Sequence, residues 1–207
     1  MIPVAVLSVL IAVSSFANAL WPIPRSLSTG SQYLKLSHNF DIHVDIKNPP
    51  RDLLAAVYMT TGHIWNDKLG RLIVGRGSND TSALTHAPSL SRLTLTLSDG
   101  KSARPIAQEA VLPIGNRSES YSLTVPANGS SATLTANSTL GLLRGLTTFT
   151  QLWYYVGGTV YTYEAPISIP IDYPAYVSPF AEQLQTMSLP LRRKPYRGFM
   201  LDTARNL

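Results

Sequence analysis

The order of hydrophobic periodicities along the 207 residues predicts an α+β fold, an antiparallel-rich sheet covered by helices. Three observations carry that expectation. Period-two alternation recurs in separated segments, most strictly in Leu93-Thr-Leu-Thr-Leu97 and in the pair Glu119–Val125 and Ala132–Ala136. Helical spacing of apolar residues occupies the stretches 52–69 and 140–153. Strands and helices follow in mixed order, without the regular βαβ period of a doubly wound parallel sheet.

Taken in order, Ile2 to Phe16 form an apolar run that ends in Ala17-Asn18-Ala19, a small-residue cleavage pattern, so residues 1–19 read as a secretory signal peptide and the mature chain starts at Leu20. The run is too short for a membrane-spanning anchor. Trp21-Pro-Ile-Pro24 is extended, and Tyr33 to Ile46 reads as a strand with Phe40, Ile42, Val44 and Ile46 at period two. Asn48-Pro-Pro50 breaks it. Leu53, Leu54, Val57, Tyr58, Ile64 and Trp65 then predict one amphipathic helix to about Leu69, with Asp52 favourable near its N-terminus. Gly75 to Thr85 reads as a loop, and the strand at Leu93–Leu97 ends at the Ser98-Asp-Gly100 turn. Asn128-Gly129 turns the chain between two alternating segments into a hairpin. In the last helix Leu142, Leu146, Phe149 and Trp153 share a face, and Gly145 allows close packing on the sheet.

Composition narrows the function classes. With 44% hydrophobic and 14% charged residues the chain can bury a core, and it lacks the charge and repeats of a disordered polymer. Cysteine is absent, which excludes thiolate metal sites, thiol nucleophiles and disulfides for these residues. The net charge of +5 does not mark a nucleic-acid partner, because Arg192, Arg193 and Lys194 cluster in one stretch without an aromatic platform or basic helix. His38, His43, His63 and His86 form no HExxH-like pair, so no metal is expected. Trp65, Trp153, Tyr154 and Tyr155 offer a sugar-stacking platform, but core packing is the commoner use of such residues beside helices. Sequons at Asn79, Asn116, Asn128 and Asn137 lie among polar turn residues, where a glycan reaches solvent.

Near the C-terminus Arg197-Gly-Phe-Met-Leu-Asp-Thr-Ala-Arg205 runs an apolar strand into a charged tip. This motif is similar to the first barrel strand of the family 20 glycoside hydrolases, the β-N-acetylhexosaminidases. Glu119-x-Tyr121-x-Leu123 and the Gly141-Leu-Leu-Arg-Gly-Leu-Thr-Thr-Phe149 helix resemble their non-catalytic, zincin-like N-terminal domain, with the Trp-Pro-x-Pro start of fungal members. The resemblance implies an N-terminal domain over 20–176 and the start of a (β/α)8 catalytic barrel over 195–207. In that family the linker between them is compact, whereas here residues 177–194 intervene. Their removal would join Tyr176 to Pro195 and restore the family pattern, so they read as a translated intron, with a genuine surface loop as the alternative. A spliced message that retains these codons would rule the intron out.

The resemblance further implies hydrolysis of terminal non-reducing N-acetyl-β-D-hexosaminides in which the substrate's own acetamido oxygen attacks the anomeric carbon. An adjacent Asp-Glu pair serves that step in the family, and no such dipeptide occurs in the 207 residues. The chain is therefore expected to contain no catalytic residue and to be inactive alone, its acid lying beyond Leu207. Arg205 matches a family arginine that donates to sugar hydroxyls, a role suited to a planar five-donor fork; the alternative is a strand-tip pair with Asp202. Arg197 and Asp202 are expected to be structural at that tip. No cofactor is implied. The expected partners are N-acetylhexosamine-terminated oligosaccharides, through the full-length parent, with no nucleic acid and no stable membrane anchor. A homodimer of the parent is compatible with the resemblance, and GlcNAc and GalNAc both stay open. The rival class is a secreted non-catalytic module that binds carbohydrate or regulates.

Overall fold

The computed structural model describes residues 20, 24–66, 76–98, 101–113 and 115–172. The signal peptide expected at 1–19, the insertion at 177–194 and the barrel strand at 195–207 lie outside them. The described part holds β1 (Ser28–Val44), α1 (Arg51–Asn66), α2 (Thr81–Leu84), β2 (Ser89–Leu97), α3 (Ile106–Ala110), β3 (Tyr121–Val125), β4 (Ala132–Ala136), α4 (Thr139–Thr150), β5 (Tyr154–Val156) and β6 (Thr159–Asp172). It is the expected α+β arrangement.

The strand order is β1-β2-β4-β3-β6-β5, and β1 also pairs with β6. β1 with β2 and β2 with β4 run parallel, while the other pairings are antiparallel. Alternation along each strand now has a physical meaning. Leu93 and Leu95 of β2, Leu123 and Val125 of β3, and Leu134 of β4 point into the core, where Leu53 and Ile64 of α1 and Leu142, Leu146 and Phe149 of α4 meet them. Thr94, Thr96, Ser122, Thr124, Thr133 and Thr135 take the opposite face and keep some exposure. There Thr96 and Thr135, partners across β2 and β4, join their hydroxyls at 2.9 Å. A fully buried leucine contributes roughly 1.5–3 kcal/mol relative to an exposed one. In a chain without cysteine this core, rather than cross-links, holds the domain.

Local chemistry explains where the elements stop. Asn48 sits at φ 53°, a left-handed conformation that asparagine tolerates, and the Pro50 carbonyl then accepts from the Leu53 and Leu54 amides to start α1. Ser138 caps α4: its hydroxyl oxygen accepts from the Gly141 amide at 3.1 Å. Gly145 lies so close to Leu134 that an added Cβ would overlap that side chain, the close approach expected from the sequence.

The structure corrects the sequence reading at several places. Residues 77–84, expected as loop, form a 3-10 turn at Gly77–Asp80 followed by α2. Glycine, serine and asparagine made the segment look featureless, but Asp80 and Leu84 are buried and fasten it to the sheet. α3 was not anticipated because five residues are too few to show a helical period. The β5–β6 hairpin was also missed, although Val160-Tyr-Thr-Tyr163 after Gly157-Gly158 carries the β-branched and aromatic composition of a strand. β1 begins earlier than expected, at Ser28, and ends at Val44. Asp52 does sit in the first turn of α1, yet its carboxylate accepts from the Ala107 amide of α3 at 3.0 Å, tying two helices together.

Candidate functional site

Among the described residues four carboxylate side chains are buried; Asp80, Glu119 and Asp172 organise the polar chemistry around them, and the fourth, Glu109, lies on α3. Burying a charge costs several kcal/mol unless donors surround it, so each must be read with its partners.

Glu119, two residues before the first residue of β3, and Tyr121, which opens it, face Arg144 and Thr148, four apart on α4. Glu119 Oε2 accepts from Arg144 Nε at 2.8 Å, and its Oε1 lies 2.7 Å from Arg117 Nε. The Tyr121 hydroxyl donates to Asp172 Oδ2 at 2.8 Å. Because that uses its single proton, the Thr148 hydroxyl, 2.7 Å away, is the donor to the tyrosine oxygen. Asp172 Oδ1 accepts from the Arg25 amide at 3.0 Å. Asp172 is 1% exposed. The set therefore couples a segment before β1, the β3 strand, helix α4 and the last residue of β6.

Asp80 heads a second cluster on the other face of the sheet. Tyr33 and Tyr161 hydroxyls donate to its two oxygens at 2.9 and 2.6 Å, and Arg76 Nη1 lies 3.2 Å from Oδ1. The Tyr33 oxygen accepts from the same Arg76 nitrogen, and the Tyr161 oxygen accepts from the Gly77 amide. Arg76 also lies over the Tyr163 ring, 3.6 Å from its centroid. Burial alone would raise the Asp80 carboxyl, but the hydrogen bonds from Tyr161 and Tyr33 and the Arg76 charge hold it below the usual carboxylate range. Burial, then the hydrogen bond to Asp80, pushes the Tyr161 phenol above the ordinary tyrosine range. Tyr33 shifts upward for the same reasons in the same order. The sequence reading missed this cluster, and the only available signal was the density of tyrosines near the Gly157-Gly158 turn.

Asp80, Glu119 and Asp172 are not available as acid or base, since each is committed to internal donors. Among the described residues, two shallow hollows of about 510 and 320 Å³ open on the surface. Asp45 shares the larger with Lys47 and Lys101, and Glu109 shares the smaller with Arg104 and Lys101. Neither brings two carboxylates together as glycoside hydrolysis requires. Among the described residues no group of three metal-ligating side chains forms, and no helix is long and apolar enough to cross a membrane.

Arg197, Asp202 and Arg205 lie outside the described residues. Asn79, Asn116, Asn128 and Asn137 are all exposed, as are His38, His43, His63 and His86. The aromatic residues do not converge on one platform. Trp153 is buried edge-on to Phe149 at 5.3 Å, Trp65 packs half-buried on the core, and Tyr154 belongs to the cluster around Tyr161.

A family model described as beta-acetyl hexosaminidase like matches residues 20–152. Among solved structures, the Flavobacterium johnsoniae chitobiase aligns at 22% identity and TM-score 0.48 over 76% of this chain and 21% of that one. The protein CpGH84B aligns at 12% identity and TM-score 0.43, covering 75% and 22% of the two chains. The family 20 exo β-N-acetylglucosaminidase of Vibrio harveyi aligns at 14% identity and TM-score 0.41, covering 74% and 19%. The chain thus spans about a fifth of the length of these structures.

Proposed function

The chain belongs to the beta-acetyl hexosaminidase-like family, and from that membership we propose that residues 20–176 serve as the non-catalytic N-terminal domain of a secreted β-N-acetylhexosaminidase. The parent enzyme would remove terminal non-reducing N-acetylhexosamine from β-linked glycans, including chitin oligomers. The family match carries this reading. It is supported by the internal commitment of Asp80, Glu119 and Asp172, which ties these carboxylates to the fold rather than to a substrate.

Chemistry then belongs to an Asp-Glu pair absent from the 207 residues. In the proposed reaction the acetamido oxygen of the substrate attacks the anomeric carbon, the glutamate protonates the leaving oxygen, and the aspartate steadies the acetamido nitrogen. Arg205 is our candidate for holding the hydroxyls of the terminal sugar, with Arg197 and Asp202 stabilising the strand tip. Signal-peptide removal after Ala19 and glycans on Asn79, Asn116, Asn128 and Asn137 complete the reading.

The test compares the purified 207-residue chain with the same chain extended by the residues its gene encodes downstream. With a chromogenic β-GlcNAc substrate the extended protein should turn over and the short chain should not. Steady release by the short chain, or a downstream sequence without an Asp-Glu pair, would overturn the proposal.

A further inference from the structure

The four sequons share exposed asparagines, but the hydroxyls on which they depend differ. A sequon is defined by Ser or Thr two residues after the asparagine, so the transferring enzyme must reach that hydroxyl as well as the amide. At Asn137 the hydroxyl belongs to Thr139, which is 0% exposed and donates to the Arg104 carbonyl at 2.6 Å. The residue between them, Ser138, donates to the Ser118 carbonyl at 2.6 Å and caps α4 through the Gly141 amide. Freeing this tripeptide means undoing the first turn of α4 and two contacts with distant segments.

Asn128 presents the opposite case. Its side-chain oxygen accepts from the Ser130 amide at 3.0 Å and from the Ser130 hydroxyl at 2.7 Å, a turn closed entirely within the tripeptide. Both residues are exposed between β3 and β4. Its side-chain hydrogen bonds lie within the sequon, and the one close neighbour outside it is the Ser89 backbone at the start of β2, against Gly129.

We infer that Asn137 accepts a glycan only before the β4–α4 junction folds, whereas Asn128 accepts one in the folded domain as well. The inference rests on the glycoprotein reading above and adds an order of events to it. In the transfer the Asn Nδ2–C1 bond forms and the C1–O bond to a lipid-diphosphate-linked oligosaccharide breaks. The lipid diphosphate leaves, and one amide proton passes to a base of the transferring enzyme. At Asn137 this step competes with burial of Thr139, so its occupancy records how fast that junction forms. Once Thr139 is buried without a glycan on Asn137, the site is closed.

The experiment takes the unglycosylated full chain made in bacteria, with its folded state verified by circular dichroism, and two peptides spanning 126–131 and 133–143 as unfolded references. Each is incubated with a purified oligosaccharyltransferase and its lipid-linked donor, and site occupancy is followed by mass spectrometry. Both peptides should be modified. In the folded chain Asn128 should follow its peptide, while Asn137 should be slower than its peptide by more than about 100-fold, as expected for a site reached only through local opening. Comparable rates at Asn137 in chain and peptide would overturn the inference, as would an Asn128 equally slowed by folding or a 133–143 peptide that is never modified. These rates do not depend on export, so a chain that proves not to be secreted defeats the glycoprotein reading while leaving this comparison intact.

Discussion

At Gly145 a single hydrogen atom in place of a side chain decides how closely α4 approaches the sheet. An added Cβ would meet both terminal carbons of Leu134 as well as its Cγ, and Leu134 is fully buried, so the whole side chain would have to move inside a packed core. Alanine is the better helix former by about 1 kcal/mol, whereas overpacking costs typically about 1–3 kcal/mol. The overlap should prevail. Gly145→Ala is predicted to lower the urea midpoint, corresponding to a net loss of up to about 2 kcal/mol with an unchanged m-value; a higher midpoint would refute the packing argument. Periodicity around Leu142, Leu146 and Phe149 foretold this glycine's place, because helical spacing names the residues that face the sheet. The same kind of reading had no access to Asp80, whose three donors come from residues up to 81 positions away.

Between elements, the decisive contact is the registration of α4 on β3. Glu119 and Tyr121 on one side and Arg144 and Thr148 on the other form two rungs, and Tyr121 extends the second to Asp172 at the end of β6. This gives the Glu-x-Tyr and Arg-Gly-Leu-Thr-Thr motifs a physical content: they match a strand to a helix by hydrogen bonds inside an otherwise apolar interface. Tyr121→Phe keeps the ring but leaves the buried Asp172 oxygen short of a donor, so it should cost about 1–3 kcal/mol of stability. In a double-mutant cycle Tyr121→Phe with Thr148→Val should be less than additive. Strict additivity would show that the two hydroxyls do not act together. Elements that rest on such contacts were only partly legible. Alternation revealed β2, β3 and β4, while α3 and the 3-10 turn are too short to own a period and exist because the tertiary structure uses them.

On the scale of the described domain, an apolar core under the helices and a tyrosine cluster around Asp80 lie on opposite faces of one sheet. The second makes stability depend on pH with a definite sign. Asp80 titrates below its unfolded value, so its contribution is fully present above about pH 4, the ordinary Asp range, and is lost as pH falls through the lower folded value. Asp80→Asn should therefore be less stable than the parent chain by about 1.5–3 kcal/mol at neutral pH, with the gap closing in urea titrations carried toward pH 2. A gap independent of pH would show that the carboxylate charge is not what the tyrosines and Arg76 hold. Local pattern was enough for the α+β class, the core-facing residues of β2, β3, β4 and α4, and the family, because periodicity and short motifs are local properties of the chain, but it misplaced Leu54 and Tyr58 of α1, which the fold leaves exposed. Only the tertiary structure decided that Asp80, Glu119 and Asp172 are internally committed and that Thr139 is sealed behind the Asn137 sequon. The physical reason is that a buried polar group is defined by its partners, and here those partners arrive from distant segments that no local pattern connects.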